Sequence, residues 1–180
     1  SFDSRGRIHV ACISDRKDEL LTTYKADGSL LRTIISPSSQ DNPLLNYVKI
    51  TTTKDDHLVV MFLYLNMVEI YDPNGSLVRS LSVPGLPSKP KMNSQPGGPD
   101  APDGAILRDV AVDEKDNLLI LGGDYSKHIS QDVFVISRSG KLLASVLLPK
   151  QAGFLSQSTN NSILVRENQR TMVSAYRLAY

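Results

Sequence analysis

The 180-residue chain has no tryptophan, one cysteine (Cys12), three histidines and almost no charge excess, with 20 Lys and Arg against 19 Asp and Glu. Each shortage closes off a class of chemistry. One thiol forms no intrachain disulfide and no zinc site built on several thiolates. A net charge of +1 provides no long-range field to draw the protein onto nucleic acid or an anionic membrane. No apolar run approaches the ~20 residues that span a bilayer, and no leader of basic, apolar and small residues opens the sequence. The first residue is Ser, so the chain is expected to be processed or a piece of something longer, and its compartment is not readable. No Gly-x-Ser-x-Gly elbow, phosphate loop or dinucleotide fingerprint is present. No two histidines stand in an H-x-H or H-x-x-x-H relation, and no cofactor is implied. Long stretches with an i, i+3, i+4 apolar stripe are missing too, which argues against helix. The neighbours of Cys12, "HVACIS", predict a buried strand thiol.

What the chain does have is a repeat. "DSRGRIHV" from Asp3, "TKDDHLVV" from Thr53, "DEKDNLLI" from Asp113 and "STNNSILV" from Ser158 each set a polar turn before an apolar strand. Their starts are spaced by 50, 60 and 45 residues, the size of a four-stranded propeller blade. A second signal follows the first three: "YKADGSLLRTI", "YDPNGSLVRSL" and "ISRSGKLLASVLL", centred on Gly28, Gly75 and Gly140. Hairpin turns commonly need positive φ, which glycine adopts without penalty. Two hairpins per unit give four antiparallel strands, so the expected fold is an all-β propeller of about four blades. Their approximate bounds are 1–47, 48–107, 108–152 and 153–180. The first unit has almost nothing of its innermost strand and the last stops before its glycine turn, so the chain is expected to be about two thirds of a six-bladed ring. Flanking sequence or a second copy would then supply the missing blades.

Residues 83–104, "VPGLPSKPKMNSQPGGPDAPDG", hold six of the ten prolines and four of the eleven glycines. Proline removes ladder donors and glycine weakens strands, so this reads as a loop inserted between the second and third blades. It is expected either to be a plain surface connection or to lie as a lid over one end of the propeller.

"ILRDVAVDEKDNLLILGGDYSKHISQDVFVISRSGKLL" resembles the repeat of NHL-type and related six-bladed propellers: Ala111, Val112 and Asp113 match the first strand, Asn117 to Ile120 the second, and Val133 to Leu143 the hairpin. The sequence departs from that pattern at Asp116, where the family usually has glycine, and at Thr53 and Ser158, which replace the turn aspartate. The architecture also occurs in gluconolactonase-like enzymes, which hold a divalent metal through separated Glu, Asn and Asp residues. No local motif carries those ligands onto this chain.

In a propeller the loops between second and third strands, and those joining blades, gather on one face. Here they contain Asp15, Arg16 and Lys17; Asn46 and Tyr47; Arg108 and Asp109; Asp124, Tyr125, Lys127 and His128; and Arg166, Glu167 and Asn168. In "GGDYSKHISQD", Gly122 and Gly123 are expected to turn the backbone sharply and present Asp124, Tyr125 and His128 together, a set suited to metal binding or acid/base work. Arg108 and Asp109 precede an innermost strand, where polar groups converge on an axial ligand. His9 and His57 are expected to be structural or exposed. Two functions fit: a non-catalytic module that binds a protein, peptide or glycan through its loop face, or a metal-dependent hydrolase of the lactonase type. A propeller alone does not imply activity, which favours the first.

Overall fold

The computed structural model describes residues 1–12, 20–94, 97–98, 100–125, 128–157, 162–167 and 173–178, with only the backbone described at 125, 128, 129 and 157. Four antiparallel sheets follow one another along the chain. The first holds β1 (Ile8–Ala11), β2 (Leu21–Tyr24) and β3 (Leu30–Ile34), with Phe2 bridging Ile8 ahead of them. The second is β4 (Val48–Thr52), β5 (Leu58–Phe62), β6 (Val68–Tyr71) and β7 (Leu77–Leu81). A two-stranded hairpin, β8 (Met92–Asn93) with β9 (Ala101–Pro102), stands in the insertion. The third sheet is β10 (Leu107–Val112), β11 (Leu118–Gly122), β14 (Asp132–Ile136) and β15 (Leu142–Leu147). Between β11 and β14 the chain makes the small hairpin β12 (Asp124–Tyr125) and β13 (His128–Ile129). The fourth sheet is β16 (Ala152–Gln157), β17 (Ser162–Glu167) and β18 (Val173–Arg177). The one helical element among the described residues is a 3-10 turn, Pro43–Asn46, capped by the Asn42 side chain on the Leu44 N–H.

The continuous apolar runs of β5, "LVVMF", and β11, "LLILG", arise because each of these strands is covered on both faces. Alternation sends Leu58, Val60 and Phe62 toward the first sheet, and Val59 and Met61 toward the third. Along β11, Leu118 and Ile120 face the second sheet while Leu119 and Leu121 face the fourth. The core is therefore three slabs, one between each pair of successive sheets. At about 1.5–3 kcal/mol for each large apolar side chain fully buried, these slabs are the main force holding blade to blade.

The turn repeat has a backbone cause. Gly6, Asp56 and Asp116 occupy the same repeat position and all lie in the left-handed region, at φ 72°, 64° and 59°. Aspartate tolerates that region better than most residues, and here its side chain earns the position. Asp56 Oδ1 accepts from the Ser4 N–H at 2.8 Å, and Asp116 Oδ1 from the Lys54 N–H at 3.1 Å. Ser4 and Lys54 are again equivalent, so each turn reaches back to the one before it. The departure from glycine is thus a staple between blades.

The hairpin glycines Gly28, Gly75 and Gly140 all have positive φ, at 83°, 85° and 90°. Valine at Gly75 or Gly140 is expected to lower stability by at least about 1 kcal/mol, read as a drop in denaturation midpoint. The loss should be larger at Gly75, where an added Cβ meets the Arg32 Cδ at 3.0 Å, than at Gly140, whose nearest neighbour is Leu81 Cδ2 at 3.6 Å.

Two expectations are corrected. Cys12 is exposed. Inward positions on β1 are His9 and Ala11, so the two-residue period turns Cys12 outward with Ile8 and Val10. The insertion is not plain surface connection along its whole length. Val83 is buried in the slab between the second and third sheets, and Leu86 packs against that slab. The Asn66 side chain donates to the carbonyls of Val83 and Leu86 and accepts from the Val83 N–H. A short Gly/Ser linker in place of residues 89–101 should leave cooperative unfolding intact, since loop length costs little entropy. The same replacement over all of 84–104 should lower the midpoint sharply.

His9 is structural. Its Nδ1 lies 3.1 Å from Thr23 Oγ1 and its Nε2 lies 3.1 Å from Asp3 Oδ2, an oxygen that also accepts from Arg7 Nε. Burial pushes the imidazole below its ordinary value of 6.5, against the opposing pull of Asp3. A histidine held neutral in the fold takes up its proton more readily when unfolded. Its contribution is therefore full above about pH 6.5 and is lost as pH falls through the lower folded value. Melting temperature should decline below that pH in the native chain, and less steeply in His9→Gln.

Candidate functional site

The innermost strands β4, β10 and β16 run side by side, and their starts bound an open cleft of about 470 Å3. Tyr47 and Lys49 enter it from β4 and the residue before it, Tyr64 from the β5–β6 loop, Arg108 from β10, Phe154 from β16 and Asp124 from β12. The returning limb of the insertion, residues 102–105, forms one wall. A second cavity of about 330 Å3 lies beneath the insertion and shares Asp103, Gly104 and Asp124 with the first.

Register places these side chains. Counting back four residues from Thr53, Asp113 and Ser158 gives Lys49, Asp109 and Phe154, equivalent positions of three successive innermost strands. They meet. Lys49 Nζ is 4.0 Å from Asp109 Oδ1 and 4.8 Å from the centre of the Phe154 ring. In β10 and β16 the ladder slips by one residue, at Arg108 and Gly153, whereas β4 runs without a slip. Such bulges re-aim a side chain beside a site, and here the bulge directs Arg108 to the cleft.

Asp109 is nearly buried and staples the third sheet to the fourth, with Oδ2 accepting from the Leu155 N–H at 2.8 Å. Burial raises its carboxyl above the ordinary value, outweighing the Leu155 hydrogen bond and the Lys49 charge. Asp124 is exposed, with Oδ2 3.4 Å from Arg108 Nη1 and Oδ1 accepting from Ser130 Oγ at 3.1 Å. Phe154 is 45% exposed, and the Arg166 guanidinium also lies over its ring, 5.3 Å from the centre. Tyr47 and Tyr64 meet edge to face with centroids 5.9 Å apart.

The structure brings together Tyr47, Arg108, Asp109, Asp124 and Arg166 of the residues singled out from sequence. Asn46 is buried and closes a loop instead, accepting from the Gln40 N–H and donating to the Gln40 carbonyl. Glu167 ends β17, buried, and accepts from Lys150 Nζ at 3.0 Å and Ser174 Oγ at 3.1 Å. The backbone of Tyr125 pairs with that of His128 across the β12–β13 hairpin. Their side chains, and residues 15–17, 127 and 168, lie outside the described residues. Gly122 and Gly123 make no left-handed turn. Gly122 ends β11, and Gly123 is glycine for lack of space, since a Cβ there would fall 2.2 Å from the Ala105 carbonyl oxygen. Lys49, Tyr64 and Phe154 were missed from sequence. The four-residue count back from the turn repeat would have found Lys49 and Phe154.

No family model matches the chain. No curated protein sequence matches it. Solved structures do. The Neurospora crassa Pan2 WD40 domain aligns with 94% of the chain over 48% of its own length, at 9% identity and a TM-score of 0.53. A streptogramin B lyase aligns with all of the chain over 68% of its own length, at 12% identity and a TM-score of 0.50. A chain from the complex of BBS1N with ARL6DN aligns with 89% of this chain over 43% of its own length, at 18% identity and a TM-score of 0.50. At these identities the likeness establishes the fold alone. The protein is built of β-propeller blades, and no helix among its described residues is long and apolar enough to cross a membrane.

Proposed function

We propose that the chain is a non-catalytic propeller module that binds a protein, peptide or glycan through its loop face, and that the axial cleft is where the ligand sits. The observation that carries this reading is the convergence of Tyr47, Lys49, Tyr64, Arg108, Asp124 and Phe154 around one open cleft of about 470 Å3. Tyrosine and arginine are among the residue types that dominate binding hot spots, and a cleft of this volume is within the range for specific sites. The lactonase-type alternative needs a divalent metal at the cleft, where the carboxylates of Asp109 and Asp124 are already engaged by protein donors, Leu155 N–H for the first and Ser130 Oγ and Arg108 Nη1 for the second.

The same reading takes these blades as part of a six-bladed, NHL-like ring. The outward faces of the first and fourth sheets carry Ile8, Val10 and Leu31, and Leu164 and Val173, half-buried or exposed. Further blades or a second copy would cover them, as radial packing covers every inner blade. Binding of peptide and glycan panels to the native chain and to Phe154→Ala tests the site. Loss of at least about tenfold in affinity is expected for a hot-spot aromatic. Equal affinity in the variant would place the ligand elsewhere, and stoichiometric divalent metal with lactone hydrolysis would favour the enzyme.

A further inference from the structure

We propose that the axial cleft recognises an acidic peptide, whose carboxylates draw Lys49 and Arg166 off the ring of Phe154. This rests on the reading of the loop face as a binding surface, and it names the ligand chemistry. Lys49 and Arg166 come from different sheets, yet both rest over one exposed phenyl ring. Among the described residues neither cation is hydrogen-bonded to a carboxylate. Among the described residues Arg166 makes no ion pair, and Lys49 stands 4.0 Å from Asp109, beyond hydrogen-bond reach. A ring face attracts a cation only weakly where water has access. A carboxylate offers a shorter, charge-assisted hydrogen bond, and the guanidinium fork can take it through two parallel N–H groups. The ring then holds both cations in place for a ligand that binds them better.

The surrounding charges say which anion fits. Asp103 and Asp124 line the same cleft and Asp109 stands beside Lys49, so a phosphate monoester, with nearly two charges on one group, would meet more repulsion there than a carboxylate. Singly charged carboxylates on a neutral peptide backbone meet less of it. Arg108, held to Asp124 at 3.4 Å in a partly exposed pair, supplies a further donor at that wall. A sugar would need a clear aromatic face to stack on, whereas the cations lie over Phe154 and the rings of Tyr47 and Tyr64 pack edge to face on each other.

Fluorescence anisotropy with labelled hexaglutamate and hexaglutamine, using the whole chain, tests the proposal. Hexaglutamate should bind at least about tenfold more tightly, with the advantage shrinking as salt is raised. Lys49→Gln and Arg166→Gln should each remove several-fold of it while both variants still unfold cooperatively. Phe154→Leu, which keeps both cations and an apolar side chain, should retain the preference for glutamate. Equal binding of the two peptides, abolished by Phe154→Ala, would overturn the acidic preference and keep the loop-face reading. Binding of oligogalacturonate with no peptide binding would overturn the peptide proposal, and hexaglutamate binding indifferent to both glutamine variants would do the same. Failure of every peptide and glycan to bind would overturn both readings.

Discussion

Replacing Gly123 with alanine should lower stability by about 2–4 kcal/mol, a large effect for one methyl group. The added Cβ would lie 2.2 Å from the oxygen and 2.6 Å from the carbonyl carbon of Ala105. Those are backbone atoms, so no side chain can rotate aside. Nor is the limb free to slide. The Gly123 N–H donates to the Ile106 carbonyl at 2.9 Å, while the N–H groups of Ile106 and Leu107 both donate to the Leu63 carbonyl, at 2.8 and 3.0 Å. Relief of the clash must break some of these bonds or move residues 102–105, which wall the cleft. Denaturant midpoints measure the first outcome, and hydrogen exchange at the amides of Gly123, Ile106 and Leu107 measures the second. An unchanged midpoint with full protection would mean that the limb does not pack against Gly123.

That glycine illustrates what a single sequence conceals. "GG" at 122–123 reads as freedom to turn, yet the need at Gly123 is room for a chain segment eighteen residues earlier, Ala105. Local signals did better. The polar turn before the apolar strand is a left-handed residue in the first three units, at Gly6, Asp56 and Asp116, the fourth turn from Ser158 lying outside the described residues, and the second glycine signal marks hairpins at Gly28, Gly75 and Gly140. Both are set by a few neighbouring φ and ψ angles, which short stretches of sequence encode. The candidate site was legible in outline, because the rule that loop ends gather on one face led to Tyr47, Arg108, Asp124 and Arg166. Its centre was not. Lys49 and Phe154 sit within strands, where a single residue looks like any other half-exposed position. They matter because equivalent strand positions meet at the axis, and Arg108 joins them because of the bulge in its strand. Asn46 and Glu167 were polar residues near loops whose hydrogen bonds turn inward. Sequence does not distinguish such residues from ligand-facing ones, because both kinds are polar and flank strands.

Glu69 marks the other extreme, a charge inside the core with no accessible surface, and Glu69→Ala should cost about 3 kcal/mol or more. It stands on β6 between Val68 and Ile70, which face the third sheet, so its own side chain turns toward the first. There Oε2 accepts from Ser36 Oγ at 2.7 Å and from the Tyr71 hydroxyl at 2.5 Å, and Oε1 accepts from the Ser38 N–H at 3.2 Å. Burial, together with the Glu69 hydrogen bond and charge, pushes the Tyr71 phenol well above its ordinary value, so it stays a donor at any ordinary pH. Ser36 and Ser38 lie just beyond β3, and the carboxylate therefore ties the exit of the first blade to the interior of the second. Alanine strands these donors in a buried slab and adds a cavity between blades. Glutamine keeps the shape and one acceptor oxygen, and its amide can donate to the hydroxyls if they rotate, so Glu69→Gln should lose clearly less than alanine. Urea unfolding of both variants, followed by tyrosine fluorescence and circular dichroism, separates the cases. Equal losses in the two would assign the stability to the carboxylate's charge-assisted bonds, and a loss under about 1 kcal/mol for alanine would mean that the apolar slab holds the two blades together without the carboxylate.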